Sequence, residues 1–143
     1  MSDQNKDAAR RWFDAWNTGE LDLLDEIVAP DAVDHDRYNP NASGGLEGAK
    51  RTVAMYREAF PDIAFTVDDV IAEGDKVVVR WTATGTHQGE IMGIPATGNK
   101  STVSGIGIDR FEDGKIVEAW NAWDTLGMMQ NIGALPQQEA ASA

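Results

Sequence analysis

KSTVSGIGIDRFEDGKIVEAWNAWD, from Lys100 to Asp124, is the stretch of this 143-residue chain whose reading decides the fold. Branched and aromatic residues dominate both halves, and Asp113-Gly114 between them is a tight-turn dipeptide, so the stretch reads as an antiparallel hairpin of Lys100–Glu112 and Lys115–Asp124. The same pattern occurs upstream, where Gly74-Asp75 joins Ile63–Glu73 to Lys76–His87. Four consecutive antiparallel strands are therefore expected after Pro61. Gly89–Ile94 is expected to add edge pairing before a turn from Pro95 to Asn99.

Upstream of Pro61 the period changes to that of helices. Ala8, Trp12, Ala15 and Trp16 recur at i, i+4, i+7 and i+8 within Gln4–Asn17, with Ala9 and Phe13 widening the stripe. A second short helix is expected over Leu21–Val28, ended by Pro30, and a third over Leu46–Phe60, closed by Pro61. The polar, turn-rich segment Asp31–Gly45 between them reads as a mobile loop with a short strand over Ala32–His35. Helices followed by strands make an α+β fold. The expected architecture is a strongly curved antiparallel sheet with three N-terminal helices packed on it, enclosing a cone-shaped pocket. One domain spans 1–143, with a frayed tail from about Pro136.

Twelve basic against 24 acidic residues leave a net charge of −12, a field that repels phosphate backbones and anionic lipid headgroups. Nucleic acid and membrane surfaces are therefore not expected partners. The absence of Cys rules out thiol nucleophiles, disulfides and thiolate metal sites, and suits a reducing cytoplasm. Neither an export signal nor a long apolar run is visible, so a cytoplasmic location is expected.

Several ordered motifs resemble the SnoaL-like polyketide cyclase family of the nuclear transport factor 2-like superfamily. They are Thr84-Gly85-Thr86-His87-Gln88-Gly89-Glu90, the turn Met92-Gly93-Ile94-Pro95-Ala96-Thr97-Gly98, Asp109-Arg110-Phe111-Glu112-Asp113-Gly114-Lys115-Ile116, and Trp120–Asp124 followed by Leu126–Gly133. The resemblance runs from the Trp12-Phe13 helix to Ile132-Gly133. It implies an α+β cone and, for the cyclases, cofactor-free intramolecular aldol ring closure with one aspartate as general acid/base, which by position matches Asp124. It also implies polar side chains, a histidine among them, on the strand before the last, where this chain has Gly105 and Gly107. The missing group would then come from elsewhere, with His35 or His87 as candidates, or the reaction is a different one.

Strand alternation puts Asp124 on one face with Ile116, Glu118, Trp120 and Ala122, where apolar surroundings would raise its pKa toward that of a general acid/base. Capping the helix that starts at Thr125 is the alternative. Glu118, on the same face, either shares a proton with Asp124 or brackets a substrate with it, or pairs with Arg80 or Arg110 across strands. Gly105 and Gly107, on one face with Ser101, Val103, Asp109 and Phe111, either make room for a ligand or mark a bulge. His35 and His87 are candidate hydrogen-bond donors to a substrate carbonyl. Trp12, Trp16, Tyr56, Trp81 and Trp120 are candidate walls for a hydrophobic ligand. No HxH or HExxH spacing exists, so no metal is expected, and the cofactor-free reaction that the resemblance implies needs no other cofactor.

These residues point to an enzyme acting on a small hydrophobic carbonyl compound. The rival readings are a binding protein without turnover and an interaction domain with an incidental hollow. A homodimer is expected through the outer sheet face, on which Val78, Val117 and Trp123 are expected to lie.

Overall fold

The computed structural model describes residues 2–36 and 39–136. The expected frayed tail falls almost wholly on 137–143, outside the described residues. The first helix, α1 (Ser2–Thr18), buries Ala8, Ala9, Phe13, Ala15 and Trp16 and ends where Gly19, at φ 78°, donates its N–H to the Ala15 carbonyl. A 3-10 turn (Leu21–Leu23) and the single turn α2 (Leu24–Ile27) follow. The second helix is thus shorter than the sequence pattern suggests, and Pro30 lies within a strand, β1 (Val28–Asp34), instead of ending a helix. A proline is tolerated there because β1 is an edge strand.

After a second 3-10 turn (Ala42–Gly44), α3 (Gly45–Ala59) begins at a glycine with φ 59°. A Cβ at Gly45 would run into the Pro30 carbonyl, so helix and edge strand meet there at backbone contact. The strands β2 (Ala64–Glu73), β3 (Lys76–Thr86), β4 (Lys100–Glu112) and β5 (Lys115–Trp123) pair antiparallel in sequence order. Gly74-Asp75 and Asp113-Gly114 form the expected two-residue turns, and Asp113 (φ 52°) and Gly114 (φ 79°) both take the left-handed conformation that such turns demand. The helix α4 (Thr125–Asn131) closes the fold.

Sheet order is β1-β5-β4-β3-β2, with β1 parallel to β5. The sheet is open and mixed, not antiparallel throughout, because the chain returns to its edge beside the last strand. Gly89–Ile94 contributes only an isolated Ile91–Ile94 bridge. One face of the sheet is covered by α1 and α3, and here Val77, Val79, Trp81, Phe111 and Ile116 form the core with the α1 aromatics. Val77 is fully buried, and side chains of that kind contribute roughly 1.5–3 kcal/mol each on burial. The other face is left to solvent, with Ile71, Ile106 and Ile108 exposed on it.

One irregularity decides which side chains face inward. In the β4–β5 ladder Phe111 pairs with Ile116 but Arg110 pairs with Glu118, so Val117 is an extra residue. Beyond this bulge the alternation is inverted. Ala119, Asn121 and Trp123 point to the covered face, and Glu118, Trp120 and Ala122 point out. Trp123 is therefore packed against the inner core rather than lying on the outer face.

Candidate functional site

Between the inner sheet face, α1 and α3 lies a cavity of about 190 Å³. Its walls are aromatic because the α1 stripe and the inward positions of β2 and β3 meet there. Trp16 stacks near Phe65 (ring centroids 4.8 Å), Phe65 near Trp81 (5.1 Å), and Tyr56 of α3 meets Trp16 (5.8 Å) and Trp123 (6.0 Å). The Trp16 indole nitrogen is buried without a hydrogen-bond partner.

One end of the cavity is polar. Asp34 of β1 pairs across the sheet with Ala119 of β5, and Ala119 pairs with Asp109 of β4. A single row thus sets a carboxylate on either side of a methyl group, their Cα atoms roughly 10 Å apart at ordinary strand spacing. Asp34 accepts hydrogen bonds from the Asp36 N–H (2.9 Å) and Asn39 Nδ2 (3.2 Å). Asn39 is in turn held by Thr52 of α3 (3.1 Å), whose hydroxyl also lies 2.9 Å from the Gly48 carbonyl oxygen. Burial raises the pKa of Asp34, against the pull of those hydrogen bonds.

Asp109 has no hydrogen-bond partner among the described residues; it is partly buried and lines the cavity. Burial first, and the neighbouring Asp34 charge second, push its carboxyl up to about 7. Tyr56 borders the same space, and burial together with Asp36 pushes its phenol up to about 12, so its hydroxyl stays a donor at neutral pH. The Asn121 amide projects beside Gly107, where an added Cβ would lie 3.2 Å from Asn121 Oδ1. Together these groups can exchange a proton and donate hydrogen bonds to a ligand oxygen at the polar end of an apolar slot.

The structure distributes the sequence candidates unevenly. Trp12, Trp16, Tyr56, Trp81 and Gly107 line the cavity. Gly105 does not border it; a Cβ there would strike the Trp81 indole and sit 2.7 Å from Trp123 Cβ, so this glycine makes room for the protein's own aromatics. Asp124 does not reach the cavity. It is exposed and accepts the Gly127 N–H at 2.8 Å as the cap of α4, and the expectation that it shares a face with Ile116 fails because the Val117 bulge intervenes.

Glu118 and Trp120 are on the outer side for the same reason, and His35, just past β1, meets both of them there. Glu118 lies 2.7 Å from His35 Nε2 and accepts from Arg110 Nε at 2.9 Å, contacts that hold its carboxyl below the usual range. The His35 ring stacks on Trp120 at 5.0 Å. Trp120 touches the cavity boundary, but its ring is engaged outside. His87 is fully buried against Phe60, with Nδ1 2.9 Å from Thr97 Oγ1, and is not part of the lining. Among the described residues no group of three or more His, Asp or Glu is placed to hold a metal.

Asp34, Asp109 and Asn121 are the site residues that the motif reading passed over. Asp109 carried a legible signal, a carboxylate on the inward face of a strand between Gly107 and the buried Phe111. Asn121 carried none, because its orientation depends on the bulge.

Comparison with known proteins places this geometry. The family model for SnoaL-like polyketide cyclases matches residues 6–132. Aklanonic acid methyl ester cyclase DauD of Streptomyces sp. (strain C5) is 32% identical over 133 residues, covering 89% of this chain and 80% of the relative. The corresponding cyclase DnrD of Streptomyces peucetius is 31% identical, with 89% of each chain covered. Among solved structures, TsrD of Streptomyces laurentii superposes with a TM-score of 0.86 at 30% identity, over 94% of this chain and 98% of its own. IdmH of Streptomyces antibioticus superposes at 0.76 with 35% identity, over 91% and 99%. The chain belongs to the SnoaL-like polyketide cyclase family.

Proposed function

We propose that this protein is a cofactor-independent general acid/base enzyme that closes a ring by an aldol-type step, or isomerises, a small hydrophobic carbonyl compound such as a polyketide. The observation that carries this reading is the Asp109 carboxyl, without a hydrogen-bond partner among the described residues at the polar end of an aromatic cavity, where burial and the Asp34 charge push it up to about 7. Its ionised form removes a proton from the carbon α to a carbonyl. The resulting enolate carbon attacks a second carbonyl of the same molecule, forming the C–C bond, and the protonated Asp109 returns its proton to the alkoxide oxygen. No atom is gained or lost, which is why the step needs no co-reactant. Tyr56 and Asn121 donate to the oxygen on which charge develops.

The test is turnover of aklanonic acid methyl ester, the compound in the names of the curated relatives, by the wild type and by Asp109→Asn and Asp124→Asn. Loss of a general acid/base typically lowers rate by about 10²–10⁴-fold. Asp109→Asn is expected to fall by that order, and Asp124→Asn, which retains a cap, is expected to keep its rate. The reverse result would return the role to Asp124 and overturn the reading. In the wild type the rate should rise as pH passes through about 7, since the ionised form is the base.

A second reading, sequestration of a ligand without turnover, is favoured by the bare backbone that Gly107 presents to the cavity. A stable complex that forms with no product would support it.

A further inference from the structure

Resting on the reading of this cavity as the substrate site, we infer that Asp34 is a second residue that contacts substrate, its carboxylate accepting a hydrogen bond from a neutral hydroxyl group of the ligand. Asp34 borders the cavity on the other side of Ala119 from Asp109, and the proton transfers assigned to Asp109 make no use of it. An ionised carboxylate offers roughly four acceptor positions and no donor. Two N–H groups meet it here, that of Asp36 on Oδ1 and Asn39 Nδ2 on Oδ2, so each oxygen has accepted one bond and can accept another. The side chain is half-buried with the cavity beside it.

This acceptor is in place before a ligand arrives. His35 donates its N–H to the Ala119 carbonyl at 2.9 Å, which ties the end of β1 to β5. Asn39, which holds one carboxylate oxygen, is itself held by the buried Thr52 of α3 and by the Asn41 N–H, 3.0 Å from its Oδ1. A ligand that uses Asp34 therefore spends little of its binding energy on ordering it. An acceptor fixed in this way discriminates sharply. A hydroxyl forms a charge-assisted bond to it, whereas an ether or a C–H in the same place strips water from the carboxylate and returns no donor. The two N–H groups already offset part of the charge, so what Asp34 offers is a direction for a donor more than a demand for a counter-ion. With Tyr56 and Asn121 as donors to a carbonyl oxygen, the site fits a carbonyl compound that also carries a free hydroxyl.

The experiment is titration calorimetry at pH 7 with 2-acetylnaphthalene, its isomers hydroxylated on the distal ring, their methyl ethers and the matching aminomethyl compounds. At least one hydroxylated isomer should bind about tenfold or more tightly than its own ether and than the parent ketone. Asp34→Asn, or Asp34→Ser where the first does not fold, should remove most of that preference, and Asp109→Asn should keep it. The inference is overturned if no hydroxylated isomer binds more tightly than its ether, if the preference survives in the Asp34 variants, if it is lost in Asp109→Asn instead, or if an aminomethyl compound binds most tightly. Binding and turnover separate the two readings. A missing hydroxyl preference alongside lost turnover in Asp109→Asn overturns the role of Asp34 alone, and a clear preference alongside unchanged turnover in Asp109→Asn overturns the acid/base reading and leaves Asp34 in place.

Discussion

At Asp109 the burial that prepares a proton acceptor also works against the fold. Its carboxyl is raised from near 4 in the unfolded chain to about 7 in the folded one, so between those values the folded state binds more protons and stability falls as pH rises. Below about pH 4 both states are protonated and the penalty is absent; above about 7 it is present in full. Asp109→Asn removes it. The variant should therefore be more stable than the wild type at pH 8, by on the order of 1–3 kcal/mol, and the difference should vanish near pH 4, as read by urea unfolding at both values. A gain in stability paired with a loss of turnover is the signature of a functional carboxylate. Asp124 should behave as a cap: Asp124→Ala is expected to cost about 1 kcal/mol with little effect on rate, measured by the same unfolding and turnover assays.

Among the elements, β4 and β5 show what the sequence makes legible and what it withholds. The inward set of β4, from Ser101 through Gly105, Gly107 and Asp109 to Phe111, follows from period-two alternation without correction, because that strand is regular across its whole length against β3. The first and third helices and both hairpins were legible for a similar reason: local periodicity and turn chemistry carry them. In β5 one extra residue, Val117, inverts the alternation, and with it the assignments of Glu118, Trp120, Trp123 and Asp124. Nothing local marks Val117 as a bulge, since a β-branched residue is equally at home in a regular strand. The parallel pairing of β1 was hidden too, because it is a long-range partner choice for a segment containing a proline. Close packing between elements gives a further test. Gly105→Ala puts a methyl group against Trp81 and Trp123 Cβ, and is expected to destabilise the protein by about 1–3 kcal/mol in thermal or chemical unfolding while leaving Asp109 in place.

Over the whole molecule, two surfaces of one sheet are put to different uses. The inner face holds the cavity. The outer face carries a continuous apolar row, in which Ile71 pairs with Val78, Val78 with Ile108, and Ile108 with Trp120, with Ile106 beside it. Ile71 is 62% exposed and Ile106 48%, more contiguous apolar surface than a monomer usually leaves in water on a sheet face. A homodimer through this face is the expected state at micromolar concentration, and Ile106→Lys should shift it to monomer in sedimentation analysis; an unaltered monomeric wild type would contradict this. The proposed chemistry requires that the proton-transfer group lie inside the cavity and be Asp109. The most direct test needs no substrate: a carboxyl ¹³C NMR titration of the wild type, with the Asp109 resonance assigned by its loss in Asp109→Asn. Asp109 should show a midpoint near 7 that moves down in Asp34→Asn. A midpoint near 4, where an ordinary exposed aspartate titrates, would contradict it.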